Sequence, residues 1–268
     1  MSIITISRGS YTKGKEIAEK VAQRLDYECV ARKIILEASD HFNIPEAKLT
    51  RALHDSPSIL SRLTFGKEKY AAYIRYALLQ YLHKDNVVYH GLAGHFFLQN
   101  IPHVLKIRII ADMNMRIKEE MERENISEDE ARRILVKDDD ERRKWSLHLY
   151  NIDTRDSSLY DMVLHIGRIT VDEAVDIIVV TSKNPGFITT PKGQEIFNNL
   201  LLSAQVQSLL IKEFPTVTVS CEKGNAIISY AGSLEKKKAT LEQIEKMLIN
   251  VTELEHIEVN ISPVLVPD

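Results

Sequence analysis

Ile3-Ile4-Thr5-Ile6-Ser7-Arg8-Gly9-Ser10-Tyr11-Thr12-Lys13-Gly14-Lys15-Glu16-Ile17-Ala18 is the stretch that decides the fold. Ile3 to Ile6 is a short β-branched run of the kind a buried strand uses. Ile17, Ala18, Val21, Ala22 and Leu25 then recur at helical spacing. Between strand and helix, Gly9 to Lys15 fills the first seven positions of the pattern G-x-x-x-x-G-K. Phosphates are held where backbone N–H groups converge at a helix N-terminus and a mobile ammonium follows the charge. The next position, which in that pattern is Ser or Thr to ligate Mg²⁺, is Glu16. A strand-to-helix turn without special purpose is the plain alternative, and both readings stay open on these residues alone.

The alternation begun there continues. Apolar bursts at about Tyr27–Val30, Asn86–Gly91, Val104–Ala111 and Met162–Ile166 are separated by helical patterns from about Lys33 to Phe42, across 46 to 84, across 112 to 150, and from Val171 to Val180. Short apolar strands separated by helices predict a parallel sheet covered on both faces, an α/β domain over 1–182. Ser182-Lys183-Asn184-Pro185-Gly186 and Thr189-Thr190-Pro191-Lys192-Gly193 read as a join over 183–192, because proline, glycine and small polar residues neither sustain a helix nor pack a core. Residues 193–268 then run helix (about Gln194 to Phe214), strand (Val217 to Cys221), a Lys223-Gly224-Asn225 turn, strand (Ala226 to Tyr230), helix (Leu234 to Leu248) and strand (His256 to Ile261). That αββαβ order predicts a small, separable α+β domain.

Composition removes several classes. The 268 residues are 44% hydrophobic and 27% charged, ordinary globular usage. No apolar run approaches the roughly 18 residues of a spanning helix, and the N-terminus lacks a signal-peptide core. Cys29 and Cys221 lie 192 positions apart, with neither metal-ligand nor disulfide-framework spacing, so a reducing, cytoplasmic home is expected. Residues 193–268 hold six Lys/Arg against ten Asp/Glu, a balance of −4, so residues 1–192 carry +1 of the total of −3. A polyanionic small ligand therefore suits the front part, and no basic excess points to nucleic acid.

A second group of charges is Lys137-Asp138-Asp139-Asp140-Glu141-Arg142-Arg143, with Arg116 ahead of it. Most such runs are solvated helix faces. Behind a phosphate loop they can also form a lid that folds arginines over phosphates.

With these segments in place, the chain resembles the cytidylate kinase-like family of P-loop nucleoside monophosphate kinases. The resemblance is carried by Ile6-Ser7-Arg8 leading into Gly14-Lys15-Glu16-Ile17-Ala18, by Arg32-Lys33-Ile34-Ile35 and by Val87-Val88-Tyr89-His90-Gly91-Leu92-Ala93-Gly94. It continues through Ala111 to Arg116, Asp138 to Arg142, Tyr160-Asp161, and Ile169 to Ala174. The resemblance implies a P-loop kinase-like sheet over 1–182 and phosphoryl transfer from Mg²⁺-ATP to a CMP-like or related small acceptor. Lys15, Arg142 and Asp138 are the implied catalytic residues. Gly9, Ser10, Tyr11, Thr12, Lys13, Gly14, Lys15, Glu16 and Arg116 are implied on the donor side, and Arg32, Gly91 and Arg142 on the acceptor side; a metal ligand is not identified. Tyr11 and Lys13 stand where the family has glycines, Leu92 where it has arginine, and Ala31 where it has an acid. The donor and lid side thus keeps more of the pattern than the acceptor side.

The tail, from Leu202 to Gln207 and from Lys223-Gly224-Asn225 to Gly232, is similar to a BON domain. A nucleotide sensor reporting through that tail is the alternative to an enzyme. A small nucleotide is the expected partner, without nucleic acid or integral membrane, and homo-oligomerisation stays open. His90, His95 and His103 read as core or rim histidines, and Trp145, Leu149 and Tyr150 as packing around the lid.

Overall fold

A computed structural model describes residues 2–9, 12–31, 33–49, 66–91, 94–233 and 237–262, all but the side chains of 66, 67, 145 and 148–150. The front part runs β1 (Ile3–Arg8), α1 (Gly14–Leu25), β2 (Glu28–Val30), α2 (Lys33–Phe42), α3 (Gly66–Leu82), β3 (Val87–His90), α4 (Gly94–Phe97) and β4 (Val104–Ala111). It continues through α5 (Met113–Glu124), α6 (Glu128–Tyr150), β5 (Met162–Ile166) and α7 (Val171–Ser182). All five strands are parallel, in the order β2-β3-β1-β4-β5. The α/β expectation holds.

β1 is central, and both its faces are buried. Ile4 and Ile6 pack with Ile17, Ala18 and Val21 of α1 and with Ala174, Val175 and Ile178 of α7. Ile3, one residue out of phase, packs on the opposite face with Ile34 and Ala38 of α2 and Leu78 and Leu82 of α3. The two-residue period of the strand thus divides one run between two cores.

The long charged stretch is two helices rather than one. Asn125 takes the left-handed conformation at φ 54° and ends α5, and the Ser127 side chain then accepts from the Glu130 N–H to open α6. Asn151 ends α6 in the same left-handed way.

Beyond Ser182 come α8 (Pro191–Leu210), β6 (Thr218–Glu222), β7 (Asn225–Ala231), α9 (Lys237–Leu248) and β8 (His256–Ser262). β6 pairs antiparallel and β8 parallel with β7, making a second, smaller sheet. The β6–β7 turn places Lys223 at φ 48° and Gly224 at φ 78°, the positive pair a two-residue hairpin requires. α8 begins three residues earlier than its apolar pattern suggests, because Thr190 caps it and Pro191 supplies a preset φ at its first position. Its buried residues divide: Phe197 and Ala204 join the core over α3, whereas Leu202, Val206 and Leu210 join the small sheet, together with Ala72 and Tyr73 of α3. No described helix is long and apolar enough to cross a membrane.

Candidate active site

β1, β3 and β4 end at one edge of the sheet, where the crossovers to either side diverge, the usual place for a ligand in an open parallel sheet. The loop after β1 begins there. Thr12 is buried, and its hydroxyl donates to the Ile109 carbonyl at 3.3 Å, pinning the loop to the end of β4. Lys13 takes φ 62°, so the left-handed turn forms even with a lysine where the resembling family has glycine. Its ammonium pairs with Glu119 of α5 at 2.9 Å, and that bond raises its pKa. No described side chain caps α1, and first-turn N–H groups left without a cap can bind an anion. Gly14 has to be glycine: a Cβ there would lie 2.7 Å from Arg8 Cδ, because the Arg8 side chain crosses directly over it.

Five arginines, Arg8, Arg108, Arg116, Arg142 and Arg155, line a cleft of about 100 Å³ beside this loop, with Asp139 the single acid among the described lining residues. Arg116 is only 8% exposed and forks onto Asp139 at 2.8 and 3.0 Å. The pair roofs Gly9, whose ideal Cβ would sit 3.6 Å from Asp139 Oδ1 and 3.8 Å from Arg116 Cζ. One turn further along α6, Arg142 donates to the Arg8 carbonyl at 3.3 Å. α6 therefore touches the end of β1 and the start of the loop at two points. A cleft this small lies below the roughly 300–1,000 Å³ that buries a whole small molecule, so admitting a nucleotide requires these lid contacts to part.

Gly9, Thr12, Arg116 and Arg142, all singled out in the sequence, line the cleft. Gly14 lies beneath Arg8 at its edge. Lys15 points elsewhere: its side chain is 64% exposed and its Nζ lies 3.7 Å from Glu19. Glu16 faces Lys20 and Lys13 on the outside of α1. Asp138 is half-buried but outside the described lining; the carboxylate that reaches the cleft is its neighbour Asp139. Gly91 closes β3, also outside the lining, with Tyr89 Oη 2.6 Å from where its Cβ would be. Ser10, Tyr11, Arg32 and Leu92, and the side chains of Trp145, Leu149 and Tyr150, lie outside the described residues.

His90, His95 and His103 are buried, as read. Burial, reinforced by Arg8 and Lys15, pushes His90 down to about 4; burial and Arg108 push His95 down to about 3. Both are neutral at physiological pH, and His95 lines the cleft. Arg8, Arg108, Arg155, His95 and Asp139 were given no role from the sequence. A signal existed for Arg108, a charge at alternating position in the buried run of β4. For Arg155, in an irregular loop, none did.

A model of the cytidylate kinase-like family matches residues 3–168. The cytidylate kinase of Sulfolobus acidocaldarius is 32% identical over 103 residues, covering 38% of this chain and 56% of that protein. That of Methanopyrus kandleri is 26% identical over 178 residues, covering 63% and 85%. The chain spans little more than half the length of three curated cytidylate kinases that it matches, those of S. acidocaldarius, Staphylothermus marinus and Methanosarcina barkeri. Among solved structures, an uncharacterized protein from Eubacterium ventriosum superposes with a TM-score of 0.53 at 19% identity, over 69% of this chain and 99% of that one. That is a likeness of fold.

Proposed function

The chain belongs to the cytidylate kinase-like family, and from that membership we propose that it moves the γ-phosphoryl group of ATP to a nucleoside monophosphate of the CMP type or a related small anionic acceptor. One P–O bond to the ADP leaving group breaks, and one forms to an acceptor oxygen. The observation that carries this reading is the five-arginine cleft between the loop after β1 and the lid helix. Such a transfer needs positioning and charge neutralisation more than a dedicated base, and that is what these residues offer. Open N–H groups at the start of α1 would cradle the donor phosphates, while Arg116 and Arg142 would face the charge spread over the transferring group. Lys15 would join them by rotating away from Glu19, since an exposed pair four residues apart on a helix contributes only about 0.3–0.5 kcal/mol.

The described residues fit a polyphosphate but not a protein-held cation. No group of three or more His, Cys, Asp or Glu among them could hold a metal, Glu16 faces lysines, and Asp139 is engaged by Arg116. Mg²⁺ would therefore ride on the substrate phosphates and water, where it neutralises their charge.

The test is ADP production from ATP and Mg²⁺ with CMP, dCMP, UMP and AMP in turn, for the whole chain and for Lys15→Ala. Turnover with one monophosphate that Lys15→Ala abolishes is expected. ATP binding without turnover on any acceptor would favour the second reading, a nucleotide sensor. The outward Lys15 and the packing of α8 on α3 support that alternative. In it, the order α8-β6-β7-α9-β8 acts as a BON-like reporting module joined at 183–192.

A further inference from the structure

Behind the arginine cleft lies a buried polar group for which phosphoryl transfer, as described, has no use. Tyr160, 8% exposed, sits two residues ahead of β5. Its phenolic oxygen has three neighbours: Arg108 Nη1 at 3.2 Å, His95 Nε2 at 3.1 Å and the Thr154 carbonyl at 3.1 Å. A phenol donates once and accepts twice. The Thr154 carbonyl can only accept and the guanidinium can only donate. All three bonds form together in one arrangement: Tyr160 O–H donates to Thr154, while Arg108 N–H and His95 Nε2–H both donate to the Tyr160 oxygen.

That arrangement fixes the His95 tautomer. Its Nδ1 is left as a bare acceptor, and this atom has no partner among the described residues. The opposite tautomer would bury an orphan N–H at the same place, the costlier defect. His95, 3% exposed and held neutral by burial, keeps that form across the physiological range.

The bonded groups are also cleft residues. His95, Arg108 and Thr154 line it, and so does Arg155, the residue that follows Thr154. The same loop is fastened from the lid side. Arg143 of α6 donates to Asp153 at 2.9 Å, and Asp153 in turn accepts from the Arg155 N–H at 3.0 Å. The loop of Asp153 to Arg155 is thus held to the lid helix through one carboxylate and to the sheet through one phenol.

We propose that Tyr160 is a positioning residue, whose hydroxyl fixes the Arg108 guanidinium and the Thr154–Arg155 backbone so that two of the five arginines face bound phosphates. This rests on the phosphate-binding reading of the cleft. Tyr160 touches no substrate itself; it acts through the arginines. Removing its hydroxyl frees Arg108 on one side and lets the Arg155 loop drift on the other, with the ring still filling its place.

The experiment is a double-mutant cycle on ATP binding by calorimetry, using the full chain, Tyr160→Phe, Arg155→Ala and the double variant, with unligated melting temperatures alongside. Tyr160→Phe is expected to weaken ATP binding about tenfold while lowering the melting temperature by only a few degrees. Arg155→Ala should cost several-fold in the wild-type background and little in the Phe background, because the arginine is already misplaced. Additive effects, or a lowered melting temperature with unchanged affinity, overturn the role of Tyr160 and leave the cleft reading intact. A wild-type chain that binds no ATP overturns the cleft reading and this role with it. Should Tyr160→Phe not fold, Tyr160→Met, which fills much of the same space without the hydroxyl, takes its place in the cycle with the same expected non-additivity.

Discussion

Asp139→Asn should move stability and nucleotide affinity in opposite directions. Among the described lining residues the carboxylate is the one acid beside five arginines, where it occupies Arg116 with two hydrogen bonds at 2.8 and 3.0 Å. Asparagine keeps the shape, loses the charge and can satisfy only one of those two donors. Breaking a fully buried pair costs about 3–5 kcal/mol, and an exposed pair contributes about 0–1 kcal/mol. With Arg116 8% and Asp139 27% exposed, the pair falls between these limits, and a loss of about 1–2 kcal/mol follows. In a chain of this size that lowers the melting temperature by about 2–8 °C. For the ligand the sign reverses. Two like charges 4 Å apart repel by about 1 kcal/mol in water and about 4 kcal/mol at an effective dielectric of 20. The partial exposure of Asp139 places it toward the lower end, and 1–2 kcal/mol corresponds to about five- to thirtyfold tighter ATP binding. Calorimetric titration with ATP at 150 mM salt and no added divalent cation, beside a thermal melt, measures both quantities. A less stable variant that also binds ATP more weakly would refute the reasoning, since the carboxylate would then be acting with the ligand rather than competing with it.

Gly14→Ala places a methyl 2.7 Å from Arg8 Cδ and 2.9 Å from Arg8 Cβ; overpacking of about 1–3 kcal/mol and about tenfold weaker ATP binding are expected, and a variant with wild-type melt and titration contradicts the close approach. Phe197→Ala empties a fully buried position where α8 meets the core over α3; urea unfolding should show a loss of about 3–5 kcal/mol, and a loss below 1 kcal/mol would mean that α8 is not integral to that core. His90 and His95 titrate at about 4 and about 3 when folded against an ordinary 6.5. Their stabilisation is therefore complete above pH 6.5 and is lost as pH falls from 6.5 toward 4, at up to about 1.4 kcal/mol per pH unit for each. Urea unfolding at pH 5.5 should give about 2–3 kcal/mol less stability than at pH 7.0, and equal values would show that these imidazoles are not buried neutral.

The fold was legible where the physics is local. A strand covered on both faces is rich in apolar residues, so β1, β3 and β4 stood out as bursts, and the helices between them imposed parallel pairing. The hairpin at Lys223-Gly224 was equally plain, since two successive positive φ angles leave few residue choices. Boundaries that depend on competing local signals were harder. Asn125-Ile126-Ser127 interrupts a run whose charge pattern continues on both sides, so one helix was expected where two form. Pro191 falls within the join that the sequence suggests over 183–192 and instead begins α8, because proline is excluded from helix interiors yet suited to a first turn.

The site divides along the same line. Gly9, Thr12 and Gly14 belong to one short stretch of sequence, so spacing alone singled that stretch out as a candidate. The arginines come from β1, β4, α5, α6 and a loop, and no one-dimensional pattern joins them. Helical phase did not settle the lid either. Counting back from Arg142, Asp139 is three and Asp138 four residues away, and both share its face; Arg116, on another helix, selects Asp139. The strengths of these contacts then order the cations around the loop. Lys15 is bound by an exposed pair with Glu19 and is released most easily. Arg142 donates to the Arg8 carbonyl at 3.3 Å. Arg116 is buried and forks onto a carboxylate, so it yields after Lys15. On the proposed reading, a polyphosphate entering this cleft would compete with Asp139 for Arg116, and Lys15 would join it only after leaving Glu19.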